Sequence, residues 1–138
     1  MIEAQTDTLP ATIDTSSVNN GYPASLSISP DGQQLYVANG QADFSSHQNG
    51  LLVVDVATLA VTQSLAAPDD VFSFTNSGVA QDGYRVLFNP SYTSEGQTGL
   101  LSLDPAENRI SARVLLAGAN WSSGLAVVPG NRACATVR

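Results

Sequence analysis

The chain repeats itself. Ser29-Pro30-Asp31-Gly32 is echoed at Ala80-Gln81-Asp82-Gly83, with Asp31 and Asp82 51 residues apart, and more loosely at Val128-Pro129-Gly130-Asn131, where Pro129 stands 99 residues after Pro30. Gly50-Leu51-Leu52-Val53-Val54-Asp55 matches Gly99-Leu100-Leu101-Ser102-Leu103-Asp104 at a spacing of 49. The difference falls in the intervening loop, where changes of length are tolerated. A period near 50 residues restricts the chain to arrays of one supersecondary unit, each covering the faces of its neighbours.

Within each unit, short apolar runs rich in β-branched residues are punctuated by Gly, Pro, Asn and Asp, the pattern of strands joined by turns. The first unit predicts strands near 23–29, 34–39, 50–55 and 60–66, and the second near 73–80, 84–89, 99–104 and 109–116. A third begins with strands near 124–128 and 132–137, and the chain ends inside it. Pro30-Asp31-Gly32 suits a tight hairpin, combining a preset φ, a carboxylate able to bond its own backbone and a Gly tolerant of positive φ. Asp55-Val56-Ala57-Thr58 and Asp104-Pro105-Ala106-Glu107-Asn108 serve the next turn. No segment sustains a 3.6-residue apolar period, so little helix is expected.

Composition narrows the function classes. Of 138 residues, 43% are hydrophobic and 12% charged; there is no lysine, and five arginines against twelve carboxylates give a net charge of −7. Arg85, Arg109, Arg113, Arg132 and Arg138 are scattered among acids, which argues against a nucleic-acid partner and against an anionic membrane surface. No apolar run approaches the ~20 residues of a membrane span. Met1-Ile2-Glu3-Ala4-Gln5 has neither the positive nor the apolar region of a secretory signal. One Cys excludes an internal disulfide, and one Cys with one His argues against a self-contained structural zinc site and against a self-contained triad; no cofactor is expected. The Gly-x-Ser-x-Gly, phosphate-loop, Cys-x-x-Cys and His-Glu-x-x-His signatures are missing.

Tyr36-Val37-Ala38-Asn39, preceded by Ser29-Pro30-Asp31-Gly32 and followed by Val53-Val54-Asp55-Val56-Ala57-Thr58, resembles one blade of the YVTN-repeat β-propellers. The resemblance covers about 22–66 well and 71–116 less well, since Pro90 replaces Asn39 and the third copy lacks the Asp-Gly turn. It implies an all-β fold of β-propeller blades with four antiparallel strands each. On that reading the chain holds about two full blades plus partial ones, an incomplete ring cut from a seven-bladed propeller. The expected division is an outer strand of a preceding or closing blade with its linker at 8–21, blades at 22–70 and 71–120, and the start of a further blade at 121–138. Uncovered blade faces would favour neighbouring blades or self-association.

Propeller ligands usually gather where the second-to-third and fourth-to-first strand connections emerge, an inference by fold analogy. That face collects Asp43, Ser45, Ser46 and His47, then Asp69 and Asp70, then Tyr92 and Glu95, and finally Asn120 and Trp121. Asp43, His47, Asp69, Asp70, Tyr92, Glu95 and Trp121 are therefore the ligand-binding candidates; no catalytic or metal residue is assigned. His47 is either a base or ligand, or a solvated loop residue, the commoner use. Asp69 and Asp70 either help hold a hard cation or are solvated, and two carboxylates are too few for calcium. Trp121 and Tyr22, 99 residues apart, either rim a ligand or pack between blades. Asp31, Asp55, Asp82 and Asp104 recur with the repeat and read as turn formers. Cys134 aligns with Leu35, which predicts an inert buried thiol.

The function expected is that of a scaffold or binding repeat module for a protein, glycan or small molecule, not independently catalytic. The alternative is part of a propeller enzyme, a lactonase-like hydrolase or quinoprotein-type oxidoreductase, with Asp43, His47 and Asp69 in one quadrant of its site. The acidic, lysine-free composition resembles that of exported bacterial propellers, implying a periplasmic or extracellular location.

Overall fold

The structure, a computed structural model, describes residues 11–13, 22–40, 50–66, 71–79, 86–93, 98–104, 106–107, 109–116, 122–128 and 132–137. Ten strands follow one another: β1 (Tyr22–Ile28), β2 (Gln34–Gly40), β3 (Gly50–Asp55), β4 (Val61–Ala66), β5 (Val71–Val79), β6 (Val86–Thr93), β7 (Thr98–Asp104), β8 (Arg109–Leu116), β9 (Ser122–Val128) and β10 (Arg132–Val137). They form two four-stranded antiparallel sheets, ordered β1-β2-β3-β4 and β5-β6-β7-β8, and a two-stranded sheet of β9 and β10. The fold is all-β and propeller-like, with open sheets and no helix among the described residues.

The sequence repeat is a repeat of register. Ile28 pairs with Leu35 as Val79 pairs with Val86, and Leu35 with Val54 as Val86 with Leu103. Even the irregularities recur. An extra residue interrupts the first hairpin of each sheet at Ala24, Thr75 and Ser123, and the last ladder of both complete sheets at Thr62 and Ser111. Such bulges sharpen local twist and re-aim the strand, so they belong to the unit's design. The Thr62 hydroxyl donates to the Val53 carbonyl at 3.0 Å beside this irregularity.

Alternation along the strands gives the first sheet two apolar faces. On one, Tyr36 and Ala38 of β2 join Leu51 and Val53 of β3, all fully buried, and pack against Leu101 and Leu103 of β7, with Leu65 and Ile110 at the margin. This is the sheet-on-sheet core, where each buried Leu or Val contributes about 1.5–3 kcal/mol. On the other, Val37, Leu52 and Val54 pack with Leu35, Val61 and Ile13, the last from outside the strands. By register Leu101 and Leu103 are the equivalents of Leu52 and Val54. The sheets therefore stack head to tail, the Tyr36 face of one on the Val54-type face of the next. β1 and β2 adjoin β5, and β5 and β6 adjoin β9, so the first strands of successive sheets are neighbours.

Two expectations need correction. Cys134 is exposed, not buried. It pairs with Ala126 as Tyr36 pairs with Ser27, so the last hairpin is one residue shorter than the spacing of 99 implied and Cys134 takes Tyr36's place. Among the described residues β9 and β10 form a sheet of two strands. β6, expected to end near 89, continues through Pro90 to Thr93, but its pairing with β7 stops at Phe88. Proline has no N–H to donate to a ladder.

Candidate functional site

The two ends of the sheets differ in kind. At one end lie the turns that follow β1, β3 and β7, and their carboxylates are occupied by the backbone. Ser29 donates its hydroxyl to Asp31 Oδ1 at 2.5 Å, Gln33 N–H donates to the same oxygen at 3.0 Å, and Gln34 N–H donates to Ser29 Oγ at 2.9 Å. Gly32 closes the turn at φ +72°, where an L side chain is strained. In the next turn Thr58 donates to Asp55 Oδ1 through both N–H, at 2.8 Å, and hydroxyl, at 2.7 Å, while Leu59 N–H reaches the Asp55 carbonyl at 2.8 Å. Val56 N–H donates to the Gln33 carbonyl at 2.9 Å, tying the two turns together.

These bonds set the charges. The Ser29 hydroxyl, then the Gln33 N–H, hold Asp31 below its ordinary value, and Thr58 does the same for Asp55 through its side chain and then its backbone. Asp104 accepts from Ala106 N–H at 2.9 Å and Glu107 N–H at 3.4 Å, and Glu107 pairs with Arg109 on the exposed surface. Asp31, Asp55 and Asp104 are turn formers by their hydrogen bonds; Asp82 lies outside the described residues. The same pattern explains Ser-Pro-Asp-Gly and Asp-x-x-Thr as structural motifs with no chemistry left over.

At the other end lie the connections that join β2 to β3, β4 to β5, β6 to β7 and β8 to β9, of which the first, at 41–49, is the longest. Tyr22 pairs with Gly40 and Gly50 with Ala66, so the segments 41–49 and 67–70 leave from one edge of the first sheet. Thr98 pairs with Leu116 and Val71 with Thr93, so 94–97 and 117–121 leave from the matching edge of the second. The bulges at Ala24, Thr75 and Ser123 lie at this end of their strands. Asp43, Ser45, Ser46, His47, Asp69, Asp70, Glu95, Asn120 and Trp121 lie outside the described residues. Tyr92 is on β6, opposite Ser73 of β5, at an irregular stretch of the ladder.

Sequence reading missed two residues, one in the interior and one on the exposed side of a strand irregularity. Tyr36, noted only as part of a motif, is fully buried between the sheets with its hydroxyl donating to Gln34 Oε1 at 2.8 Å. Burial first, then the nearby Asp31 and Asp104 carboxylates, raises its pKa above the ordinary phenol value. Thr62 completes the backbone at the β4 irregularity; its alternation with Val61 was the available signal. Among the described residues no group of three or more His, Cys, Asp or Glu could hold a metal ion, and no helix is long and apolar enough to cross a membrane.

No protein-family model and no curated protein matches the chain. Among solved structures it is similar to hydrazine synthase of Kuenenia stuttgartiensis, a β-propeller-containing protein, with a TM-score of 0.72 and 18% identity over 84% of this chain. The chain spans 32% of that protein's length, and the likeness is one of fold.

Proposed function

We propose that this chain is a propeller-type binding module, a scaffold that presents ligand-contacting loops and is not independently catalytic. One observation carries the reading: the aspartates described at one end of the sheets are consumed by turn hydrogen bonds, whereas the connections that leave from the opposite end bring carboxylates of their own. Those connections hold Asp43, Asp69, Asp70 and Glu95, one histidine and no arginine. Their negative potential favours a ligand carrying positive charge or donating hydroxyls, with Tyr92 and Trp121 offering aromatic surface. We read the units as part of a YVTN-type propeller with blades at 22–70 and 71–120, and place it in the periplasm or outside the cell on its acidic, lysine-free composition.

The test is a binding screen against cationic peptides and a glycan array. A ligand should lose affinity when Asp43, Asp69, Asp70 and Glu95 are replaced together by Asn or Gln, and keep it when Asp31 is replaced by Asn. Equal binding by both variants, or no ligand in either set, would sink the reading. The likeness to part of a synthase supports the enzyme alternative only as far as fold. An activity abolished by His47→Ala would favour it.

A further inference from the structure

The first hairpin of every sheet breaks register at one and the same place. Ser25, Asn76 and Gly124 stand opposite Ala38, Asn89 and Thr136, and the residue just before each of them, Ala24, Thr75 or Ser123, is left out of the pairing. All three lie at the loop-bearing end of β1, β5 and β9. There β5 leaves out a second residue, Phe72, and β6 leaves out Ser91.

β1 adjoins β5, and β5 adjoins β9, so the interruptions fall on neighbouring strands. A bulge takes the backbone N–H and C=O of its extra residue out of the ladder, and such groups find partners in side chains, water or a ligand. The three strands are also chemically of one kind. They contain no Asp, Glu, His or Arg, and around the bulges stand Ser25, Ser73, Thr75, Asn76, Ser122 and Ser123. Hydroxyls and amides both donate and accept. A charged group seated among them would lose hydration without meeting an opposite charge; a sugar, whose hydroxyls donate and accept in the same way, carries no such cost.

We propose that the bulged ends of β1, β5 and β9 form a binding site for an uncharged carbohydrate, the bulge backbone and the hydroxyl and amide residues beside it bonding the sugar's hydroxyls. This rests on the binding-module reading and narrows it, from any ligand that is cationic or donates hydroxyls to a neutral sugar held at the strands as well as at the loops.

The test presents the whole chain with neutral malto-, cello-, xylo- and chito-oligosaccharides, and with cationic peptides in parallel, and measures the affinity of each probe that binds by titration calorimetry. A neutral oligosaccharide should bind, with an affinity that changes less than about twofold from low salt to 1 M, since it carries no charge to be screened. Thr75→Val with Asn76→Ala, and separately Ser122→Ala with Ser123→Ala, should each weaken it by about 10-fold or more. The two pairs lie on different hairpins, so the second reports the site even if the first variant fails to fold. Ser64→Ala, on the exposed face of β4, should leave the affinity unchanged. Sugar binding that is lost on replacing Asp43, Asp69, Asp70 and Glu95 but unchanged in both strand variants overturns the proposal and leaves the binding module standing. Binding of cationic peptides alone does the same. Failure of every probe to bind overturns both.

Discussion

Leu65 and Val114 occupy the same place in successive sheets, Leu65 opposite Leu51 and Val114 opposite Leu100, yet Leu65 packs against the core while Val114 is 55% exposed. What differs is the neighbour. The first sheet is followed by one of four strands and the second by one of two, which does not reach over the outer strands. Leu65→Ala should lower unfolding free energy by about 2 kcal/mol, toward the low end for Leu truncation since the site is only partly buried. Val114→Thr should change it by less than about 0.5 kcal/mol. Urea denaturation measures both; equal costs would contradict the stacking order.

Among the described residues, the two turn positions with positive φ should respond in opposite senses. Nothing lies within 4 Å of a Cβ added at Gly32, so Gly32→Ala is opposed by backbone strain alone, about 1–2 kcal/mol. Leu59 already sits at φ 57° with a Cβ, so Leu59→Gly relieves strain and, after the added entropy of the unfolded chain, should raise stability by about 0.5–1 kcal/mol. Thermal melts of the two variants should shift in opposite directions.

Much of this was legible in the residues. The spacings of 51 and 49 carry the strand pairings because side chains alternate with a period of two and each unit buries both faces. Pro90 showed in the sequence as a departure from the repeat, and the structure adds that the β6–β7 ladder stops short of it, at Phe88. Three things were hidden. The shorter last hairpin, which moved Cys134 into Tyr36's register, depends on the turn's backbone and not on its composition. The exposure of that thiol depends on how many strands cover it. The loop candidates carry no repeat constraint, since a connection can vary in length and content while the strands beside it keep their register.

Asp31 and Asp55 predict an acid limb. Both carboxylates are held below their ordinary 3.8 by turn hydrogen bonds, so the folded state binds fewer protons than the unfolded one near that pH. Their stabilisation is fully present above pH 3.8 and is lost as pH falls through the lower folded values. Both are exposed, which makes each contribution small. Asp55→Asn should flatten stability against pH in this range while leaving the neutral-pH fold intact; an unchanged acid limb in Asp31→Asn combined with Asp55→Asn would contradict the assignment.

Tyr36 predicts the alkaline limb. Its phenol is buried between the sheets, donates to Gln34 and faces the fields of Asp31 and Asp104, all of which favour the protonated form. A raised folded pKa means that the native state holds its proton where the unfolded chain has lost it. Stability is therefore unaffected below the ordinary value of 10.0 and falls as pH rises from there toward the folded value. Tyr36→Phe removes the titrating group and should abolish this alkaline loss. At neutral pH it should cost about 1 kcal/mol, because the hydrogen bond goes but the packing against Leu101 and Leu103 stays. Tyr36→Ala empties the interface and should cost about 3–5 kcal/mol. Denaturant unfolding of the three proteins at neutral pH and above pH 10 separates the effects. An alkaline loss that survives in Tyr36→Phe would assign it to another group.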